Sequence, residues 1–177
     1  RFWDLATGHE VLTFTGHEGA VHAIAFSPDG SRFATASMKI QVWATRTGKK
    51  LEAKDGHHGS VMTMDFAPDG KSLASGSWDK TAIIWSLEDQ KPVHILSGHS
   101  APVIKTGFNP EGTLVFTLSE GHTAKIWDAE TGKETTDLKF SYYEINDLGF
   151  QPGQTDRLAI ALSNGTIKII SAREGTV

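Results

Sequence analysis

The sequence predicts an all-β protein built as an array of small four-stranded antiparallel sheets. Two observations carry this prediction: a unit of roughly 42 residues recurs along the chain, and short apolar runs alternate with turns rich in Gly, Pro and Asp. No segment of 11 residues or more keeps a helical period. Because each small sheet has two apolar faces, the units must stack on one another to bury them.

The stretch 56–86 is the clearest copy of the unit. Its apolar runs predict three strands, and its two turns predict tight hairpins between them. The runs are Val61–Phe66, Ser72–Ser77 and Thr81–Trp85, and the turns are Pro68-Asp69-Gly70 and Trp78-Asp79-Lys80. A fourth apolar run follows in each unit, at Val11–Thr15, Lys50–Lys54, Pro92–Ser97 and Glu134–Phe140.

Marker residues recur in phase with this unit. The third run closes on Trp3, Trp43, Trp85, Trp127 and Ile170, at spacings of 40, 42, 42 and 43. A Gly-His pair opens three units at 16–17, 56–57 and 98–99, whereas the fourth has Phe140-Ser141. The first strand is expected to start at Val21, Val61 and Val103 and to end at Phe26, Phe66 and Phe108. A Pro-acidic-Gly turn follows, replaced in the fourth unit by a longer turn over 151–157.

The Gly-His and Trp-Asp markers at this period resemble the WD-repeat (WD40) β-propeller family over the whole chain. The resemblance implies a β-propeller of four-stranded blades, with a stub at about 1–15 and blade units at about 16–55, 56–97, 98–139 and 140–177, the last of which stops where its fourth strand would start. Propellers of this family close with seven or eight blades. We therefore expect a segment of a larger ring whose other blades come from the same polypeptide or a partner subunit; a dimer of four-bladed units is the alternative.

Composition narrows the function classes. The chain has 177 residues, a formal net charge of −4 and no basic block, so nucleic-acid binding has no electrostatic support. No apolar run reaches the length of a membrane span. The absence of cysteine excludes disulfides and thiolate chemistry. We expect an intracellular protein, in the cytoplasm or the nucleus.

In the WD-repeat family a His, a Ser or Thr, an Asp and the closing Trp form a hydrogen-bonded network inside each blade. The second unit matches all four positions with His57, Ser75, Asp79 and Trp85. The first keeps His17, Thr35 and Trp43 but has a shorter hairpin without the Asp, and the third keeps His99, Thr117 and Trp127 with Gly121 in place of the Asp. The fourth, with Ser141, Ile160, Asn164 and Ile170, keeps none. The second blade should be the most rigid and the fourth the least.

The set His57, Ser75 and Asp79 has the residue types of a hydrolase triad. We interpret it as structural, because parts of the same set recur in the other units. Scaffold residues recur in this way, whereas the residues of an active site are not repeated from unit to unit. Eight histidines are present, but none shows ligand spacing within one element. The sequence therefore predicts no metal, no cofactor and no catalytic residue.

The resemblance also implies a partner-binding face, built by the loops that enter the first strand and join the second to the third. The candidate residues on these loops are Trp78, Tyr142, Tyr143, Met38, Glu120 and His58. Aromatic side chains on rigid loops are good interface anchors, although they could instead cover loops or fill the channel mouth. Glu18, Glu120 and Glu144 would favour a basic peptide.

The sequence thus predicts a non-catalytic scaffold that presents a loop face to a protein or peptide. Two alternatives stay open. The segment could be the sensor or targeting module of a larger regulatory protein, such as a kinase or an ATPase. A propeller enzyme would need an acid–base or metal cluster, which the sequence does not show.

Overall fold

A computed structural model describes residues 1–140 and 142–175. This part of the chain contains strands and turns but no helix, which confirms the predicted all-β class. The strands are β1 (Phe2–Trp3), β2 (Glu10–Leu12), β3 (Ala23–Phe26), β4 (Arg32–Ala36), β5 (Ile40–Ala44), β6 (Lys50–Lys54), β7 (Val61–Phe66), β8 (Ser72–Ser77), β9 (Thr81–Ser86), β10 (Lys91–Ser97), β11 (Val103–Phe108), β12 (Leu114–Ser119), β13 (Ala124–Asp128), β14 (Glu134–Leu138), β15 (Ile145–Phe150), β16 (Arg157–Leu162) and β17 (Ile167–Ser171).

The strands form antiparallel sheets in simple chain order. Sheet I contains β3–β6, sheet II contains β7–β10 and sheet III contains β11–β14, each with its strands side by side in sequence. Sheet IV contains β15–β17, and β1 pairs with β2 in a small sheet at the amino end of the chain. The topology is that of successive blades of a partial β-propeller.

Glycine-containing turns set the first hairpin of each sheet. In sheet II the Gly70 N–H donates to the Ala67 carbonyl at 2.8 Å, and Gly70 has a φ of 68°. Proline before the acidic residue presets φ, and glycine accepts the positive φ that the turn requires. In sheet IV the corresponding hydrogen bond runs from Gln154 N–H to Gln151 O, so the turn closes around Pro152-Gly153.

The apolar core lies in layers between neighbouring sheets. Three clusters of buried side chains join sheet I to sheet II, sheet II to sheet III, and sheet III to sheet IV. Trp85 and Leu73 belong to the first layer, and Trp127 and Val115 to the second. Because the middle strands lie between two layers, they are buried on both faces, as β8 and β12 show. Stacking therefore buries both faces of a sheet that could not fold alone.

Polar contacts tie neighbouring sheets together at their first strands. The Thr106 N–H of β11 donates to Thr63 Oγ1 of β7 at 3.2 Å, and the Phe108 N–H donates to Asp65 Oδ2 at 2.8 Å. Lys105 of β11 forms an ion pair with Asp147 of β15. The first strands thus lie side by side along the array.

The outer strands make a second set of ties. In each case a side chain of the fourth strand donates to a backbone carbonyl at the end of the third strand of the next sheet or just beyond it. Lys54 Nζ lies 3.0 Å from Ser86 O, His94 Nε2 lies 2.7 Å from Glu130 O, and Thr136 Oγ1 lies 2.9 Å from Ala172 O. Neighbouring sheets are therefore fixed at both their inner and outer edges.

The first unit departs from the sequence prediction. Its first strand begins at Ala23, and Val21 lies outside it and is exposed, whereas Val61 and Val103 are fully buried. The expected equivalence of these three valines was wrong, because residue spacing does not specify which side chain has a neighbouring sheet to pack on. Phe26 is also exposed and contacts Phe2 of β1 at a ring distance of 5.8 Å.

Two predicted fourth strands are shorter than expected. The run Val11–Thr15 yields β2 over Glu10–Leu12, and the run Glu134–Phe140 yields β14, which ends at Leu138. Phe14 leaves the strand and packs its ring against Phe2 and Phe33 at centroid distances of 4.8 Å. Aromatic packing at the end of a strand therefore replaces continued pairing there.

Candidate partner-binding face

A complete side-chain network lies at one end of sheet II. Its imidazole, His57, contacts Asp79 Oδ2 through Nδ1 at 2.9 Å and Ser75 Oγ through Nε2 at 2.8 Å. The indole N–H of Trp85 donates to the same hydroxyl at 2.8 Å. The network links the loop before β7, the strand β8, the β8–β9 hairpin and the end of β9. It therefore fixes two loops to the body of the sheet.

The electrostatics of this network keep its carboxylate ionised. Burial alone would raise the pKa of Asp79, but hydrogen bonds from Thr81, His58 N–H and His57 hold that pKa at about 2. Burial lowers the pKa of His57, and the contact with Asp79 opposes this shift only in part. A neutral imidazole between a carboxylate and a hydroxyl satisfies all three polar groups internally.

This geometry is unsuited to nucleophilic catalysis. The Ser75 side chain is fully buried, and its hydroxyl already contacts both the His57 ring and the Trp85 indole. A nucleophilic serine needs an open approach for the substrate carbonyl. The trio of His57, Ser75 and Asp79 instead connects the loop before β7 and the β8–β9 hairpin to β8 through hydrogen bonds.

Sheet I holds a variant of the network that the sequence did not reveal completely. His17 Nε2 lies 2.7 Å from Thr35 Oγ1, and the Trp43 indole donates to the same oxygen at 2.7 Å. Although the Asp is absent, Ser37 Oγ lies 3.1 Å from His17 Nδ1 and replaces it. The sequence could have indicated Ser37 as this partner, because it is the first polar residue after β4 in the shortened hairpin.

Sheet III holds a second variant. His99 Nε2 lies 2.6 Å from Thr117 Oγ1, and the Trp127 indole donates to that oxygen at 2.8 Å. With Gly121 in the position of the Asp, Thr123 Oγ1 is the nearest partner of His99 Nδ1, at 3.4 Å. Burial, reinforced by the nearby Lys125 ammonium, lowers the pKa of His99 to about 4.

Sheet IV has apolar side chains where the other sheets have the network. Ile160 and Ile170 are buried in the layer shared with sheet III. Asn164 lies in the exposed β16–β17 hairpin, where its side-chain oxygen accepts the Thr166 N–H at 3.0 Å. Ser141, the remaining position of the predicted set, lies outside the described residues.

Two sets of loops lie at the same end of the sheets. They are the loops before the first strands and the hairpins between the second and third strands. Within sheets, the Trp78 N–H donates to Ser60 O at 3.0 Å and the Glu120 N–H donates to Pro102 O at 2.9 Å. Between sheets I and II, the Ser60 hydroxyl lies 3.7 Å from the Met38 sulfur. These loops form one continuous surface, which we call the loop face.

All six candidate residues are exposed on the loop face. The side chains of Trp78 and Met38 are both 56% exposed, Tyr143 is 46% exposed and Tyr142 is 89% exposed. His58 and Glu120 are exposed beside them. These aromatic and thioether groups therefore remain available to a partner.

A shallow cavity on the loop face lies between the β12–β13 hairpin and the loop before β15. It has a volume of about 320 Å³ and is lined by Gly121, His122 and Thr123 of one sheet and by Tyr142, Tyr143 and Glu144 beside the next. His122 Nε2 lies 3.5 Å from Glu144 Oε2, and His122 Nδ1 lies 3.2 Å from Ile145 O. Sequence reasoning missed His122, whose positive φ of 54° marks the hairpin.

The charges on the loop face are of both signs. Lys39 forms an ion pair with Asp55 at 3.0 Å, and Glu18 also raises the pKa of Lys39 in addition to the larger effect of Asp55. His122 similarly lies beside Glu144. Two of the three acidic residues on which the basic-peptide prediction depended, Glu18 and Glu144, therefore have a basic residue nearby, and that prediction gains no support.

The described residues contain no group of three or more His, Asp or Glu side chains placed to hold a metal ion. Nor does any helix long and apolar enough to cross a membrane occur in that part of the chain.

Comparison with protein families gives one result. The model of the WD domain, G-beta repeat family (WD40) matches three consecutive segments, 8–43, 48–86 and 90–128, which together cover more than half of the chain. Each segment starts with the last strand of one sheet and continues through the first three strands of the next. Comparison with curated proteins gives no match.

Proposed function

Because the chain belongs to the WD40-repeat family, whose domains are generally protein-interaction scaffolds, we propose that it binds a protein or peptide partner on the loop face. One observation carries the proposal: Trp78, a large and half-exposed aromatic, directly precedes Asp79, the best-anchored residue of the loops. A rigid aromatic loses little conformational entropy on binding and buries a large area.

The neighbouring anchors extend this surface across the sheets. Met38 belongs to sheet I, Trp78 to sheet II, and the Tyr142–Tyr143 pair to the loop before β15. Such spacing favours an extended segment or a folded surface that crosses several loops over a single inserted side chain. The proposed mechanism is shape and anchor complementarity with no chemical step, because Ser75 and His57 are enclosed within sheet II.

Pulldown from a lysate of the source cells, followed by quantitative mass spectrometry, tests this proposal. Trp78→Ala and Tyr143→Ala should each reduce recovery of the same partners at least tenfold, the loss expected for an interface anchor worth about 2 kcal/mol. Trp3→Ala is the matched control, because Trp3 is 53% exposed but lies at the far end of its strand, away from the loop face. Equal recovery with all four proteins would overturn the assignment.

A further inference from the structure

One cross-strand pair near the end of the first strand differs between sheets II and III. In sheet II, Asp65 on β7 lies opposite Ala74 on β8. In sheet III, Gly107 on β11 lies opposite Phe116 on β12. A Cβ atom on Gly107 would approach the Phe116 ring to 2.5 Å, so this ring occupies the space of the missing side chain. Sheet III thus has a glycine and a phenylalanine where sheet II has an aspartate and an alanine.

Because of this difference, sheet III packs on sheet IV through other contacts than those that join sheet II to sheet III. Between sheets II and III, Asp65 Oδ2 accepts the Phe108 N–H. Gly107 has no side chain that could accept the equivalent Phe150 N–H of β15. The Phe116 ring instead lies 5.8 Å from the Phe150 ring. Aromatic contact therefore replaces a polar tie at this junction.

A cavity of about 500 Å³ opens beside these rings, at the end of the strands opposite the loop face. Its lining includes Phe66, Phe108, Phe116, Phe150, Leu148 and Asp65. Gly149 also lines it, and an added Cβ there would meet nothing within 4 Å. A concave space of this size, lined mainly by apolar side chains with a few polar groups, is typical of small-molecule sites.

The charge of the cavity selects the kind of ligand. Two charged residues line it, Asp65 and Lys105. Lys105 forms an ion pair with Asp147, whereas Asp65 has no ion-pair partner among the described residues. Burial raises the pKa of Asp65, with the N–H groups of Phe108 and Phe66 opposing that shift. A partly buried carboxylate beside aromatic rings favours a cation, through charge pairing and cation–π contact.

We propose that this cavity, the Phe116 cleft, binds a small organic amine, with its ammonium group on Asp65 and an aromatic or branched aliphatic body among the phenylalanine rings. The site is independent of the proposed partner binding, because it lies beside the turns at Pro68, Pro110 and Pro152. Those turns are at the other end of the strands from Trp78 and Tyr143.

Titration followed by ¹H–¹⁵N NMR tests this proposal with three matched probes. 2-Phenylethylamine should give saturable shifts centred on Gly107, Phe108 and Gly149. The neutral 2-phenylethanol should bind at least tenfold more weakly, and the anionic 3-phenylpropionate should give no saturation. Equal affinity for the three probes, or amine shifts centred on the loop face, would overturn the proposal.

Two variants separate charge from shape. Asp65→Asn keeps an acceptor for the Phe108 N–H but removes the charge, and it should abolish the preference for the amine over the alcohol. Gly149→Leu should fill the cleft and abolish binding of both probes, while Gly19→Leu, at an equally open glycine on the loop face, should bind as the wild type does. Unchanged amine binding by a folded Gly149→Leu protein would refute the site. If the Gly149→Leu protein does not fold, the Asp65→Asn variant tests the site by itself, and a retained preference for the amine over the alcohol would refute the proposal.

Discussion

At the scale of single residues, Asp79 is the side chain on which the loop face depends most. It accepts hydrogen bonds from the His57 ring, from the backbone of His58 and from Thr81, and its side chain is only 11% exposed. No other acidic side chain of the described loops contacts an imidazole and two backbone N–H groups at once. Its loss should therefore release the loop before β7 and the hairpin that carries Trp78.

We predict that Asp79→Ala lowers the free energy of unfolding by about 2–4 kcal/mol, because it removes the partner of the buried His57 ring and of the donors on His58 and Thr81. Urea titration monitored by tryptophan fluorescence measures this change. Asp69→Ala, which removes an exposed carboxylate bonded to the Lys71 N–H, should cost about 1 kcal/mol or less. Similar losses in the two variants would contradict the special role of Asp79.

The buried His99 gives a prediction for pH. Its pKa in the folded protein is about 4, against 6.5 for an ordinary histidine. Between these values the unfolded chain binds a proton that the folded protein does not, so stability falls as the pH decreases from about 6.5 to about 4. The variant His99→Gln should lose less stability over this window. Parallel pH profiles of the melting temperature for both proteins would show that His99 does not contribute.

The resemblance to the WD-repeat family identified the main network residues, because His17, His57 and His99 occupy the family's His position and each is followed 18 residues later by a Ser or Thr. It missed Ser37 and Thr123, since a replacement partner need only lie within hydrogen-bond distance and need not occupy the same repeat position. It also missed the contact between Gly107 and Phe116, which is apparent only when the cross-strand register places the two residues opposite each other.

At the scale of elements, turn chemistry made the hairpins predictable. The strands β7 and β8 have the predicted bounds, because Pro68 and Gly70 leave few ways to connect them. The start of β3 at Ala23 was not predictable from the repeat, since it depends on which side chains find a neighbouring sheet. Local sequence thus determines turns more closely than it determines strand ends.

Sheet II should exchange its backbone amides more slowly than sheet IV. Sheet II has the complete network and an apolar layer on each face, whereas Ile167 and Ile169 of sheet IV are exposed. Amide exchange is slowest where opening must break buried contacts. Hydrogen–deuterium exchange should show longer protection in β8 than in β16, and the reverse order would contradict the assignment of rigidity to the network.

Two equivalent glycines provide a matched test of the junction between sheets III and IV. Gly107→Ala should destabilise the protein by about 1–3 kcal/mol, because the new methyl group collides with the Phe116 ring. Gly149→Ala enters open space and should change stability by roughly 0.5 kcal/mol or less. Thermal melts of both variants decide the point, and equal melting temperatures would show that Phe116 moves aside without cost.

At the scale of the whole molecule, the layers between sheets explain how a repeat with so many polar turns remains ordered. Each matched repeat spans two sheets, so the covalent chain, the outer-strand hydrogen bonds and the apolar layers all join the same neighbours. The sheets hold the loops in fixed relative positions. The exposed aromatics can then act together on one partner although they belong to different sheets.

In the proposed complex, one partner contacts the loop face through several sheets at once. Site-specific photo-crosslinking can detect such contacts, with p-benzoylphenylalanine placed in turn at Met38, Trp78 and Tyr143 and, as controls, at Trp3 and Ile169. We predict that the three loop-face positions attach the same protein and that the two control positions do not. Attachment of that protein from Trp3 or Ile169, with none from the three loop-face positions, would contradict the proposal.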